Sequence, residues 1–232
     1  PTPGACMAIL PDDLFEFLAD LADNNERAWF KANQERFEAS VREPALQFVR
    51  DFESPLRAIS SHYVAEASKS GGSLFRIFRD VRFSKDKSPY KTHTGIQFRH
   101  EQGKDAHAPG FYLHLAPNEV FVGVGVWHPA KEQLAAIRGA IAKDTAGWEA
   151  VKAEVLASGR LRFGGESLSR PPRGIDKEHP ALEDLKRKDF ILVGDMTEAD
   201  VLGDDATYRV AALFGEAAPL VSWLCAVLGL PF

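Results

Sequence analysis

Six positively charged side chains lie within sixteen consecutive residues, positions 76–91, and they are the part of the chain best suited to bind a ligand. The same stretch holds two carboxylates, whereas the whole chain of 232 residues carries a net charge of −5. Guanidinium groups bind phosphate or carboxylate through paired hydrogen bonds, and ammonium groups add point charges. A cationic cluster in an acidic protein therefore predicts an anionic ligand. The cluster consists of Arg76, Arg79, Arg82, Lys85, Lys87 and Lys91, with Asp80 and Asp86.

The leading prediction is that this cationic cluster binds a small molecule that carries a phosphate or a carboxylate. The tyrosine at position 90 adds a hydroxyl group and an aromatic ring. A second cationic loop contains Arg170 and Arg173, and we expect it either to close over the same anion or to be an exposed basic loop. The predicted ligand-binding residues are Arg76, Arg79, Arg82, Lys87, Tyr90, Lys91, Arg170 and Arg173.

Proton transfer, if the protein is an enzyme, is predicted for Asp80 or His93. His93 follows the cationic cluster closely, and an imidazole titrates near neutral pH. A divalent metal ion at Asp80 or Asp86 is an alternative that the sequence does not favour, because no closely spaced histidines or cysteines accompany them. The sequence leaves the cofactor, the reaction and the existence of a reaction open.

Two other interpretations of the cationic cluster also stay open. The first is a nucleic-acid-binding module that adds Tyr90, Arg170 and Arg173, and it requires a basic surface extending beyond one pocket. The second is a non-catalytic interaction protein, in which Asp80 and Asp86 pair with the cations and lock the local structure. The acidic net charge favours a small anionic ligand over a long polymer.

The order of these residues resembles the signature of a bacterial family described as a domain of unknown function. A looser second pattern of that family resembles residues 170–174, 179–180 and 185–186 of this chain. The resemblance spans nearly the whole sequence and implies a single-domain bacterial protein, but it implies no activity. The residues that match the first pattern are Arg76, Arg79, Asp80, Arg82, Phe83, Asp86, Lys87 and Tyr90.

The elements that position these residues are predicted to form one α+β domain over residues 1–232. Residues 1–10 are predicted to be a poorly ordered extension. Apolar residues recur at helical spacing in residues 11–68, which predicts a helical segment with a new helix starting at Pro44. Residues 73–232 are predicted to form a mostly antiparallel sheet with C-terminal helices packed on it.

Alternating apolar and charged residues over 75–83 predict a strand in which Arg76, Asp80 and Arg82 share one face. The same alternation predicts strands at 94–100, 110–115 and 119–127.

Two glycines, Gly123 and Gly125, fall on one face of the last of these strands. They leave bare backbone there, so we expect a helix or a ligand to pack closely against this patch. The glycines are not a dinucleotide-binding fingerprint, because they lie inside a strand and lack the third glycine before a helix.

The cysteine count and the longest apolar run indicate where in the cell the protein is expected. The chain has two cysteines, at positions 6 and 225, which excludes a disulfide framework and favours a cytoplasmic location. The longest apolar run, residues 217–232, contains two prolines and is shorter than a membrane span requires. We therefore expect a buried C-terminal helix and no membrane partner, while the oligomeric state stays open.

Overall fold

A computed structural model describes residues 10–103 and 108–232 of the chain. Within these ranges the chain forms helices and a six-stranded antiparallel sheet, which confirms the predicted α+β class. The extension predicted at residues 1–10 lies outside the described residues except for Leu10, whose side chain is fully buried. Cys6 lies outside them as well.

The N-terminal segment is helical as predicted. A helix begins at Glu43, one residue before the predicted start at Pro44, although it continues directly from the turn that precedes it. A wider π turn directly precedes this helix, and the nitrogen of Pro44 in the first turn of the helix has no hydrogen to donate. The helices are α1 (Asp13–Asp23), α2 (Arg27–Ala32), α3 (Gln34–Phe37), the π turn (Glu38–Arg42), α4 (Glu43–Asp51) and α5 (Glu53–Ile59).

The sheet has the strand order β1-β2-β3-β4-β6-β5, and all neighbouring strands are antiparallel. The strands predicted at 94–100, 110–115 and 119–127 are confirmed within one residue at each end, whereas β1 lies inside the segment predicted to be helical. The strands are β1 (Tyr63–Val64), β2 (Thr94–His100), β3 (Gly110–Ala116), β4 (Glu119–Val126), β5 (Arg162–Gly164) and β6 (Phe190–Met196).

The long C-terminal helix packs on one face of this sheet. The ring of Phe214 lies with its centroid 5.0 Å from that of Phe111 and 6.1 Å from that of Phe98. By length and composition this helix would also qualify as a membrane span, but here it supplies much of the core. The later helices are α6 (Lys131–Lys143), α7 (Thr145–Leu156), α8 (Leu182–Leu185), α9 (Glu198–Leu202) and α10 (Ala206–Leu228).

The two faces of the sheet differ in composition. Residues that point toward α10, such as Leu113 and Val122, are fully buried, and they alternate with less buried residues along the central strands. We call the face that points away from α10 the open face. It is formed by Gln97, Tyr112, His114, Phe121, Gly123, Gly125, Ile191 and Val193, together with Trp127 just after β4.

The strand predicted at 75–83 is wrong. Leu74 makes an isolated bridge to β2 and Phe78 makes one to Tyr90, while the remainder of the segment is irregular. The chain therefore leaves the outer edge of β2, forms a long loop and returns at Tyr90. We call residues 79–89 the motif loop.

Aspartate side chains explain why the motif loop is not a strand. A carboxylate oxygen of Asp80 accepts a hydrogen bond from the backbone N–H of Arg82 at 3.2 Å, and Asp86 accepts one from that of Ser88 at 2.9 Å. These amides are then engaged locally rather than in a ladder with a neighbouring strand. Consequently Arg76, Asp80 and Arg82 do not share a strand face.

Gly123 and Gly125 on the open face differ in whether a larger side chain would fit. Gly125 has a φ of +125°, and a Cβ atom there would overlap the carbonyl oxygen of Phe190. We expect Gly125→Ala to lower the free energy of unfolding by roughly 2 kcal/mol or more. Gly123→Ala is the matched control, since its Cβ would meet its nearest neighbour at 3.6 Å, and we expect a change below about 1 kcal/mol. Urea denaturation of both variants measures this, and equal stabilities would contradict the strand geometry.

Candidate functional site

A cavity of about 520 Å³ lies on the open face of the sheet. Gln97, Tyr112, Gly123 and Val193 are directly paired across four neighbouring strands. The missing side chain at Gly123 leaves a depression in the middle of this row. The glycines that were predicted to leave bare backbone thus form the floor of the cavity.

Aromatic and aliphatic side chains form the walls of the open-face cavity. Trp127, whose side chain is 58% exposed, stands at the end near Ile191. Phe75 reaches over the opposite end, with its ring centroid 5.9 Å from that of Tyr112. Such a surface accommodates a flat or apolar group.

Two histidines and a tyrosine form a polar corner in this cavity. The hydroxyl of Tyr112 lies 2.9 Å from Nδ1 of His114, and the ring centroid of His114 lies 4.5 Å from that of His93. Burial lowers the pKa of His93 to about 4, with further contributions from His114 and Lys91. Burial also lowers the pKa of His114 and raises that of Tyr112 to about 12. At neutral pH all three side chains are uncharged and offer hydrogen bonds to a ligand.

Lys91 lies at the boundary between this cavity and a second depression of about 440 Å³. Its Nζ donates a hydrogen bond to the backbone carbonyl of Arg76 at 3.0 Å and lies 5.2 Å from the ring centroid of Phe75. Burial, and then the charge of Arg76, lower the pKa of Lys91. A negative charge placed beside this ammonium group would stabilise it.

The second depression is cationic. Its wall carries four basic side chains, and those of Lys69, Lys91 and Arg99 come from three different segments of the chain. The fourth is Arg76, whose guanidinium makes no ion pair and no hydrogen bond with any residue in the described ranges. Lys69 pairs with Glu43 at 3.1 Å on the surface. We call this depression the cationic pocket.

The remaining charges of the cluster lie on the motif loop and do not join the cationic pocket. Arg79 pairs with Asp86, and Nη2 of Arg82 lies 2.7 Å from Asp80. Hydrogen bonds from Arg82 lower the pKa of Asp80 to about 2. Nζ of Lys87 donates to a backbone carbonyl of the loop at 2.9 Å.

The structure separates the two catalytic candidates, because Asp80 is exposed on the motif loop while His93 lines the open-face cavity.

Tyr90 is a packing residue at the base of the motif loop. Its ring is buried and stacks on Phe30 with a centroid distance of 4.1 Å. The side chain of Asn25 holds both the backbone N–H and the carbonyl of Tyr90, at 3.1 Å each. These contacts attach the end of the motif loop to the N-terminal helices.

Arg170 and Arg173 are exposed on the loop between β5 and α8. Strand β5 is at one edge of the sheet, whereas the segment with Arg76 follows the outer side of β2 toward the other edge. Arg170 and Arg173 are not among the residues that line the cationic pocket in the described part of the chain. Their closure over a shared anion stays a prediction.

Sequence reasoning missed several residues of the site. Tyr112 and His114 are two residues apart on β3, and the antiparallel register with β4 places Tyr112 opposite Gly123 on the open face. This signal was available once β3 and β4 were predicted to form a hairpin. Lys69 and Arg99 gave no such signal, because only the tertiary structure brings them together with Arg76. Within residues 10–103 and 108–232, no three His, Cys, Asp or Glu side chains are grouped as a metal site would require.

Comparison with known protein families matches residues 13–223 to a family described as "Conserved hypothetical protein (DUF2461)". The match covers the helical segment, the sheet and most of α10. Comparison with curated proteins finds no match.

The low pKa of His93 has a consequence for stability. Between about pH 6.5 and pH 4 the unfolded chain binds a proton at His93 that the folded chain does not, so the free energy of unfolding falls as the pH falls. We expect His93→Gln to make this dependence shallower in urea denaturation across that range. His179→Gln, outside the cavity, is the control. A His93→Gln profile as steep as that of the wild type would contradict burial of a neutral imidazole.

Proposed function

The chain belongs to the conserved hypothetical protein family DUF2461, and since that description names no activity, we propose from the site itself that the protein binds a small amphipathic anion. The apolar or aromatic body of this molecule lies in the open-face cavity. Its phosphate or carboxylate lies at the boundary with the cationic pocket. The proposal is one of binding, and it assigns no reaction.

The single observation that carries this proposal is the position of Lys91. Both the open-face cavity and the cationic pocket include Lys91 and Phe75 in their walls, so the two depressions adjoin. One molecule can therefore contact an apolar surface and a group of cations at once. Neither depression alone would favour an amphipathic ligand over a purely apolar or a purely ionic one.

The size and shape of the open-face cavity support a small ligand. Its volume of about 520 Å³ lies within the range of roughly 300–1,000 Å³ that is typical of ligand pockets. The exposed ring of Trp127 and the floor at Gly123 offer two surfaces for a flat group. Burial of these apolar surfaces favours binding by about 25 cal/mol for each Å² removed from water.

Electrostatics support an anionic group at the boundary. Lys91 is desolvated and lies close to the positive charge of Arg76, and both effects lower its pKa. An anion bound there offsets the repulsion and forms charge-assisted hydrogen bonds. The same anion would raise the pKa of His93, because Lys91 is one of the charges that depress it.

The proposal is tested with anilinonaphthalene sulfonate, a fluorescent aromatic anion. We expect saturable binding at one site on the folded protein. Gly123→Val fills the cavity floor and should weaken binding by at least about tenfold. Lys91→Met removes the boundary charge and should weaken it by about tenfold, since a hydrogen bond to a charged group contributes roughly 1.5–3 kcal/mol.

Matched substitutions control for stability and net charge. Gly139→Val adds the same side chain to an exposed position of α6, where a Cβ meets no neighbour within 4 Å, and Lys143→Met removes an exposed charge. Both should bind the dye like the wild type. Undiminished binding by Gly123→Val, or equal losses in Lys91→Met and Lys143→Met, would refute the proposed site.

A further inference from the structure

The motif loop borders a second concave surface that is separate from the open-face cavity. A cleft of about 440 Å³ runs between the loop and the helices α2 and α3. Its floor is aromatic, and the ring of Phe30 contacts those of both Phe37 and Tyr90. Four basic side chains line it, namely Arg27, Lys31, Arg42 and Arg79.

The positive charge continues from this cleft onto the motif loop. Val81 lines the cleft, and Phe83 follows two residues later, at most about 7 Å along the chain. The side chain of Phe83 is 96% exposed, and the guanidinium of Arg82 lies 5.8 Å from its ring centroid. Exposed Lys85 and Lys87 follow directly.

The acids of this surface do not cancel its cations. Glu38 pairs with Arg42 at 2.5 Å, and the two aspartates of the motif loop pair with Arg79 and Arg82. Ion pairs between such exposed or half-exposed groups contribute roughly 0–1 kcal/mol each to stability. Arg27, Lys31 and Lys85 make no ion pair with any residue in the described ranges, so the surface retains a positive excess.

Exposed phenylalanines next to these cations indicate a partner with flat apolar groups as well as negative charges. Phe78 is 53% exposed beside the cleft, and Phe83 is almost wholly exposed at the loop tip. A single-stranded nucleic acid offers both features, since its bases stack on aromatic rings while its phosphates pair with Arg and Lys.

We propose that the cleft and the motif loop together bind single-stranded nucleic acid. Phosphates contact the basic side chains of α2, α3 and the loop, and unpaired bases stack on Phe83 and Phe78. An anionic membrane would engage the protruding Phe83 and the lysines but would leave the aromatic cleft unused. A mononucleotide would fit the cleft but would leave the cations of the loop tip unused. The extent of the surface therefore favours a strand of several nucleotides.

Fluorescence anisotropy with a labelled, mixed-sequence DNA or RNA oligonucleotide of about twelve nucleotides tests the proposal. With about four phosphate contacts, we expect the affinity to fall by about 50-fold between roughly 50 and 200 mM salt. Phe83→Ala should weaken binding by about tenfold with little change in the salt dependence. Lys85→Glu should weaken binding and also reduce the salt dependence.

Three variants serve as controls. Lys143→Glu changes the net charge as Lys85→Glu does, and Tyr208→Ala removes another exposed aromatic ring, 65% exposed on α10. Both should bind like the wild type. Gly123→Val should also leave oligonucleotide binding unchanged, which separates this surface from the small-molecule site.

Several outcomes would overturn the proposal. These are no oligonucleotide binding at low salt, equal losses in Lys85→Glu and Lys143→Glu, or a mononucleotide that binds as tightly as the oligonucleotide. Binding to phosphatidylserine vesicles that depends on Phe83, without binding to the oligonucleotide, would identify a membrane surface instead.

Discussion

Hydrophobic burial on one face of the sheet is the interaction on which the rest of this structure depends. Helix α10 packs against β3 and β4, and its Phe214 joins Phe98 and Phe111 in a continuous core. Because this face supplies so much of the burial, the open face can include glycines that contribute no side-chain packing. The open-face cavity exists because stability is provided on the other side of the sheet.

The segment between β1 and β2 divides the cationic cluster among different surfaces. Its first part follows β2 and delivers Arg76 to the cationic pocket, and its last part returns Lys91 to the boundary of the open-face cavity. Between them the motif loop projects outward, held at its base by Asn25 and Tyr90. Charges that are adjacent in sequence therefore lie on two separate surfaces, and their density alone does not define one pocket.

Sequence patterns predicted the α+β class and the strands β2, β3 and β4, because alternation there coincides with a real ladder. The same alternation failed at residues 75–83, where the side chain of Asp80 holds the backbone amide of Arg82 that a ladder would use. The glycines that form the floor of the open-face cavity could be predicted from the sequence. The grouping of Lys69, Arg76 and Arg99 in the cationic pocket could not be predicted, because it depends on contacts between distant segments.

The most direct test of the central claim, that the open face of the sheet is a ligand site, is an NMR titration of the isotope-labelled protein with phenyl phosphate. We expect saturable shifts at the amides of Tyr112, Gly123, Gly125 and Lys91, while the amides of α10 stay unchanged. Shifts confined to the motif loop, or no saturable shift on β3 and β4, would contradict this claim.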